Sequence, residues 1–180
     1  YYSTTFRDYF GYAVSTSETY SIVGAYTEDM ASHTSSGVAY IFDNATGELL
    51  WTLPNPDALT NGYFGHAVSI SETYSIVGAY NYFGSNTGHG RAFIYDNATG
   101  ALLWTLDNPN SSGTTATDRF GYSVGVSETH AIVGAYLEDF GGGSSGTAYI
   151  FSPVTGDLLW TLNNPDTNPS NDYFGWSVET

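Results

Sequence analysis

The chain has no cysteine and no lysine, and its only cations are the scattered arginines Arg7, Arg91 and Arg119. Without cysteine there is neither a disulfide framework nor a thiolate metal site. Against 3 basic residues stand 18 Asp and Glu, a net charge of −15. That field repels phosphate, and no basic patch overrides it, so nucleic acid and anionic membrane are excluded as partners. No apolar run approaches the ~20 residues that a membrane helix needs, so no membrane insertion is expected. Tyr1 is not an initiator Met and no signal segment comes after it, which reads as a segment of a longer, processed chain. The chain is rich in apolar mass: 41% of residues are hydrophobic and 17% aromatic, too much for a disordered acidic tail. The 180 residues suit one domain or a run of small repeats sharing a core. Abundant Tyr, Gly, Ser and Thr beside absent Cys and Lys fit an extracellular or cell-surface protein.

Internal repetition dominates the sequence. Phe-Gly recurs at Phe10, Phe64, Phe120 and Phe174, spacings of 54, 56 and 54 residues. Gly-Ala-Tyr recurs at Gly24, Gly78 and Gly134, and Leu-Leu-Trp-Thr-Leu closes each unit with Trp51, Trp104 and Trp160. The division is a linker end over 1–7, repeats over 8–61, 62–117 and 118–171, and the first strand of a partial fourth repeat over 172–180. Each unit reads as four short strands, in the first copy Tyr12–Ser15, Ser21–Ala25, Val38–Phe42 and Leu49–Leu53, joined by Ser-Glu-Thr and Asp-Asn-Ala-Thr-Gly turns and ended by Asn-Pro. No segment sustains a 3.6-residue period, so almost no helix is expected.

The third strand decides the architecture. Ala39 and Ile41 point one way while Tyr40 and Phe42 point the other, and the later copies repeat the alternation. A sheet with one wet face would carry a polar set instead. Small side chains on one face and rings on the other suit sheets covered on both sides. The expected fold is all-β: tandem four-stranded antiparallel blades of a β-propeller-like repeat protein.

The strings FGYAVS…IVGAY…GVAYIFD, FGHAVS…IVGAY…GRAFIYD and FGYSVG…IVGAY…GTAYIFS resemble the FG-GAP repeat, the blade repeat of integrin α-subunit propellers and many bacterial secreted proteins. The resemblance implies a propeller-like sheet fold and an extracellular binding or adhesion setting, and no single activity. Many members hold calcium on a D-x-D-x-D-G loop between the second and third strands. Here Glu28 with Asp29 and Glu138 with Asp139 are all that remains of that pattern, and the middle copy has no acid there. Calcium wants six to eight oxygens, so these four are weak candidates and no cofactor is required. Tyr26, Tyr80 and Tyr136 stand where the family has Pro.

No catalytic residue is expected. Gly121-Tyr-Ser123-Val-Gly125 spells a nucleophile motif, but its serine lies on a repeat strand where the other copies have Ala13 and Ala67. His66 occupies the slot of Tyr12 and Tyr122, and His130 that of Tyr20 and Tyr74, which are ring-packing positions. Glu18, Glu72 and Glu128 lie in turns, where they are expected to solvate and blunt edges. Asn44, Asn97 and Asn110 head N-x-[ST] glycosylation sequons, although the first two also suit a tight turn.

Three blades fall short of the four to eight that usually close a propeller. The short segment 172–180 carries Phe174, Trp176 and Val178 on alternate positions, an apolar face that needs a partner. Two functions are expected from this pattern. One is a non-enzymatic extracellular structural protein that assembles with copies of itself, head to tail into fibres, by strand addition through Phe174, Trp176 and Val178. The other is a glycan- or protein-binding adhesion module within a closed propeller.

Overall fold

A computed structural model describes residues 7–30, 33–81, 90–110, 118–139, 143–166 and 170–180. The first unit contains β1 (Ala13–Thr16), β2 (Tyr20–Ala25), β3 (Val38–Asp43) and β4 (Leu49–Pro54). The second contains β5 (Ala67–Ile70), β6 (Tyr74–Ala79), β7 (Arg91–Asp96) and β8 (Leu102–Asp107). The third contains β9 (Ser123–Val126), β10 (Ala131–Ala135), β11 (Thr147–Phe151) and β12 (Leu158–Asn163). Each set forms its own antiparallel sheet in chain order, and no helix occurs among the described residues.

The turns arise from side-chain chemistry. The Asp43 carboxylate accepts hydrogen bonds from the Ala45 and Thr46 N–H groups, and Gly47 at φ 72° closes the loop without a Cβ penalty. These donors hold the Asp43 carboxyl below its ordinary range. A bulge recurs at one place in each sheet, between Ile41/Phe42, Ile94/Tyr95 and Ile150/Phe151.

The sheets stack small face on ring face. Ile22, Ala39, Ile41 and Leu53 of the first unit form one core with Phe64, Val68, Val77, Phe93 and Tyr95 of the second. Ile76, Ala92, Ile94 and Leu106 of the second form the next with Phe120, Val124, Val133, Tyr149 and Phe151 of the third. Each fully buried phenylalanine stabilises the stack by about 1.5–3 kcal/mol relative to exposure. The alternation of small residue and ring along β3, β7 and β11 is therefore the pattern of a stack, whose cores lie between sheets.

Two local expectations change. Tyr12 lies before β1, because its N–H closes a turn on the Tyr9 carbonyl. Residues 172–180 contain no strand: their one ladder contact is an isolated parallel bridge between Gly146 and Phe174. A strand needs a neighbour to hold its N–H and C=O groups, and the described residues supply none beside Ser177–Thr180.

Candidate functional site: the junction between blades

Each Phe-Gly corner sits on the preceding blade. A Cβ added to Gly24 would collide with the Gly65 carbonyl oxygen, and one on Gly37 with the Phe64 carbonyl oxygen. Gly78 and Gly90 receive the Gly121 and Phe120 carbonyls in the same way, and Gly134 and Gly146 receive those of Gly175 and Phe174. Glycine at these places permits close backbone approach, while Phe64 and Phe120 drop to 0% exposure in the cores.

Three kinds of polar contact complete the junction. The Glu72 carboxylate accepts from the N–H groups of Glu18 and Thr19 at 2.6 and 3.3 Å, and Glu128 accepts from Thr73 N–H at 3.0 Å. Hydrogen bonds from the Thr19 and Thr73 side chains, joined by these backbone donors, hold the Glu72 and Glu128 carboxyls below their ordinary range. Edge solvation is thus not the role of Glu72 and Glu128: they tie successive turns together. The Trp51 and Trp104 indole N–H groups donate to the Asn97 and Pro153 carbonyls at 2.9 and 3.0 Å, each ring lying on a glycine, Gly100 or Gly156. Ser15 and Ser69 hydroxyls accept from the N–H groups of Ile70 and Val126. Arg91 adds ion pairs to Asp57 of the first unit and to Asp107.

A row of rings runs past the Phe-Gly corners, at the end of the strands opposite the Glu and Trp contacts. Tyr12–His66, His66–Tyr122, Tyr122–Tyr136 and Tyr136–Trp176 have centroids 5.1, 4.8, 4.5 and 4.4 Å apart. Tyr26, Tyr80 and Tyr136 help build it. Arg119 lies over the Tyr80 ring at 4.9 Å. Burial drives the His66 pKa down to about 4, so it is neutral at pH 7.

The end faces of the stack carry the two halves of this junction. On the first unit the ring side is open, with Phe10 60% and Val14 66% exposed where Phe64 and Val68 are buried. On the third unit the small side is open, with Trp160 65% exposed and Ile132, Ile150 and Leu162 only partly covered. His130 is exposed rather than packed, because the rings at Tyr20 and Tyr74 are covered by a following blade. Phe174 lies half-buried over the Gly134/Gly146 seat, Val178 is also half-buried, and Trp176 joins the ring row.

The paired loop acids point apart. Glu28 turns inward, both its oxygens 2.7 Å from the Tyr40 hydroxyl, whereas Asp29 accepts from Ser35 N–H. Glu138 is 1% exposed and accepts from the Tyr149 hydroxyl and the Asn110 amide, whereas Asp139 accepts from Ser144 N–H. Burial raises the carboxyl pKa of Glu28 and Glu138. Each pair's geometry is that of one core acid and one loop cap. Among the described residues no group of three or more metal-ligating side chains converges. The corresponding loop of the middle unit, from Tyr82 and Phe83 onward, lies outside the described residues.

The sequon asparagines also hold turns. The exposed Asn44 amide donates to the Ser17 and Glu18 carbonyls. Asn97 is fully buried with its amide given to the Ser71 carbonyl, so the folded chain closes it to a glycan. Asn110 spends its amide on Glu138, and Ser111 and Ser112 of its sequon lie outside the described residues. The Ser123 hydroxyl donates to the Gly175 carbonyl, a packing contact at the third seat.

A family profile of the FG-GAP repeat matches residues 4–42, 52–95 and 111–151, most of the chain. The chain belongs to the FG-GAP repeat family. Each matched segment carries its unit through the Phe-Gly corner to the third strand, the parts that make the seat and the stacked faces. No curated protein matches the chain.

Proposed function

We propose that this FG-GAP protein is a non-enzymatic, extracellular structural protein that joins copies of itself head to tail into fibres. One observation carries the reading: the blade junction occurs twice inside the chain with the same glycine seat and the same Glu, Trp and Ser contacts, and the two end faces present its complementary halves. A ring face meets a small face, the exposed Trp160 meets the turn of Asn44 and Gly47, and Glu18 meets the turn of Glu128 and Thr129. Such a contact is heterologous and propagates when it does not close on itself. The rival, an adhesion module in a closed propeller with a glycan or protein ligand, calls for a closed ring of blades. Neither reading calls for calcium.

Sedimentation velocity tests the proposal. Mass rising continuously with protein concentration, and further as salt screens the net charge of −15, is the expected result. A monomer at every concentration, or one discrete closed oligomer, would overturn it.

A further inference from the structure

We propose that Phe174–Thr180 serves as the first strand of a shared blade, replacing Phe10–Thr16 on β2 of a second copy of this chain. The inference rests on the head-to-tail reading above and specifies its contact.

The segment already occupies the place of a first strand: Phe174 and Gly175 fill the Gly134/Gly146 seat as Phe64 and Gly65 fill the seat on the first unit. Its far end crosses β9, where the backbone N of Thr180 lies 3.1 Å from the Cβ position of Gly125. First strands lie side by side at both internal junctions, β5 on β1 and β9 on β5, so 176–180 continues that series.

The two sequences correspond in phase. Phe174-Gly-Trp-Ser-Val-Glu-Thr180 matches Phe10-Gly-Tyr-Ala-Val-Ser-Thr16 at Phe, Gly, Val and Thr. Ser177, at the place of Ala13, has a precedent in Ser123 of the third unit.

The segment has the seat but no ladder, whereas β1 has a ladder and is covered on one face only, by β5. β1 is a four-residue edge strand, and Phe10, Tyr12 and Val14 around it are each more than half exposed. Short edge strands with few buried contacts open most readily.

Exchange restores the ladder and the covered face of the internal junction, with Glu179 in place of the Ser15 hydroxyl that accepts from Ile70 N–H. The β1–β2 register pairs Ala13 with Gly24, Val14 with Val23, Ser15 with Ile22 and Thr16 with Ser21. In the shared blade Ser177, Val178, Glu179 and Thr180 take those places. The small face of the third unit is then covered by Val178, Val23, Tyr40 and Phe42, as that of the second is covered by Val124, Val133, Tyr149 and Phe151. A second copy is the fitting occupant because it brings these rings together with the Glu18 and Gly47 turns, in continuity with the interface between units.

A chain with no cysteine allows a clean cross-link. Ser17 N–H donates to the Tyr20 carbonyl and Gly11 N–H to the Gly24 carbonyl, which places Val14 and Val23 at a non-hydrogen-bonded position. Such Cα pairs lie about 4.5 Å apart, within disulfide reach. The Val23→Cys/Val178→Cys variant, oxidised with diamide, is expected to run as a reducible ladder of dimer, trimer and higher species, with either single variant giving no ladder. Wild-type assembly without a ladder in the double variant would overturn strand exchange and leave the fibre reading standing. A disulfide confined to monomers would overturn both. The chain shortened to 1–171 is expected to stay monomeric with its far-UV spectrum retained. Faster assembly of that chain would show that Phe10 of the next copy fills the seat, and would overturn the proposal.

Discussion

The carbonyl oxygen of Gly65 occupies the space that a Cβ on Gly24 would need. The same relation joins Gly78 to Gly121, so these strand glycines are points where two blades touch backbone to backbone. Gly78→Ala is expected to lower stability by about 2 kcal/mol or more, the cost of overpacking a closed core. A Cβ on Gly143 meets nothing within 4 Å, so Gly143→Ala is expected to be near neutral. Urea titration of both variants checks the contrast.

Tryptophans at the same place in three units differ in their cover. Trp104 donates to the Pro153 carbonyl and lies on Gly156, while Trp160 is mostly exposed. Trp104→Phe is expected to cost about 1–2 kcal/mol through a lost hydrogen bond and a poorer fit. Trp160→Phe is expected to leave the unfolding midpoint in place and to weaken self-association, read by denaturation of the dilute chain and sedimentation of the concentrated one.

His66 is neutral in the folded chain with its pKa at about 4, against an ordinary 6.5. The unfolded chain therefore binds the extra proton first, and stability is lost as pH falls from 6.5 toward 4. His66→Tyr, which installs the ring of the other copies, is expected to flatten the pH dependence of Tm in that window.

Glu138 has the opposite sign. Burial raises its carboxyl pKa, so its contribution is most favourable at acid pH and is lost as pH rises from the unfolded value through the folded one. Glu138→Gln keeps an acceptor for Tyr149 and Asn110 while removing the buried charge. The variant is expected to melt higher than wild type at pH 7, with the difference vanishing at pH 4. Glu138→Ala, which strands the Tyr149 hydroxyl, is expected to melt lower at both.

Strands and stacking are legible in the sequence because three in-phase copies set the turns and because Ala39/Ile41 against Tyr40/Phe42 fixes two apolar faces. The junction's polar contacts are not. Glu72 and Trp104 are bonded to other units, some 50 residues away in sequence, and no local pattern encodes that. Glu138 and Asp139 read as a pair, but loop side chains have no fixed period and these two diverge. Segment 172–180 reads as a strand because its residues alternate, yet a ladder also requires the partner edge.

Electron microscopy of the concentrated chain tests the central claim most directly. The account expects long, unbranched fibres whose axial repeat corresponds to three stacked blades. Closed rings, or single particles at every concentration, would contradict it.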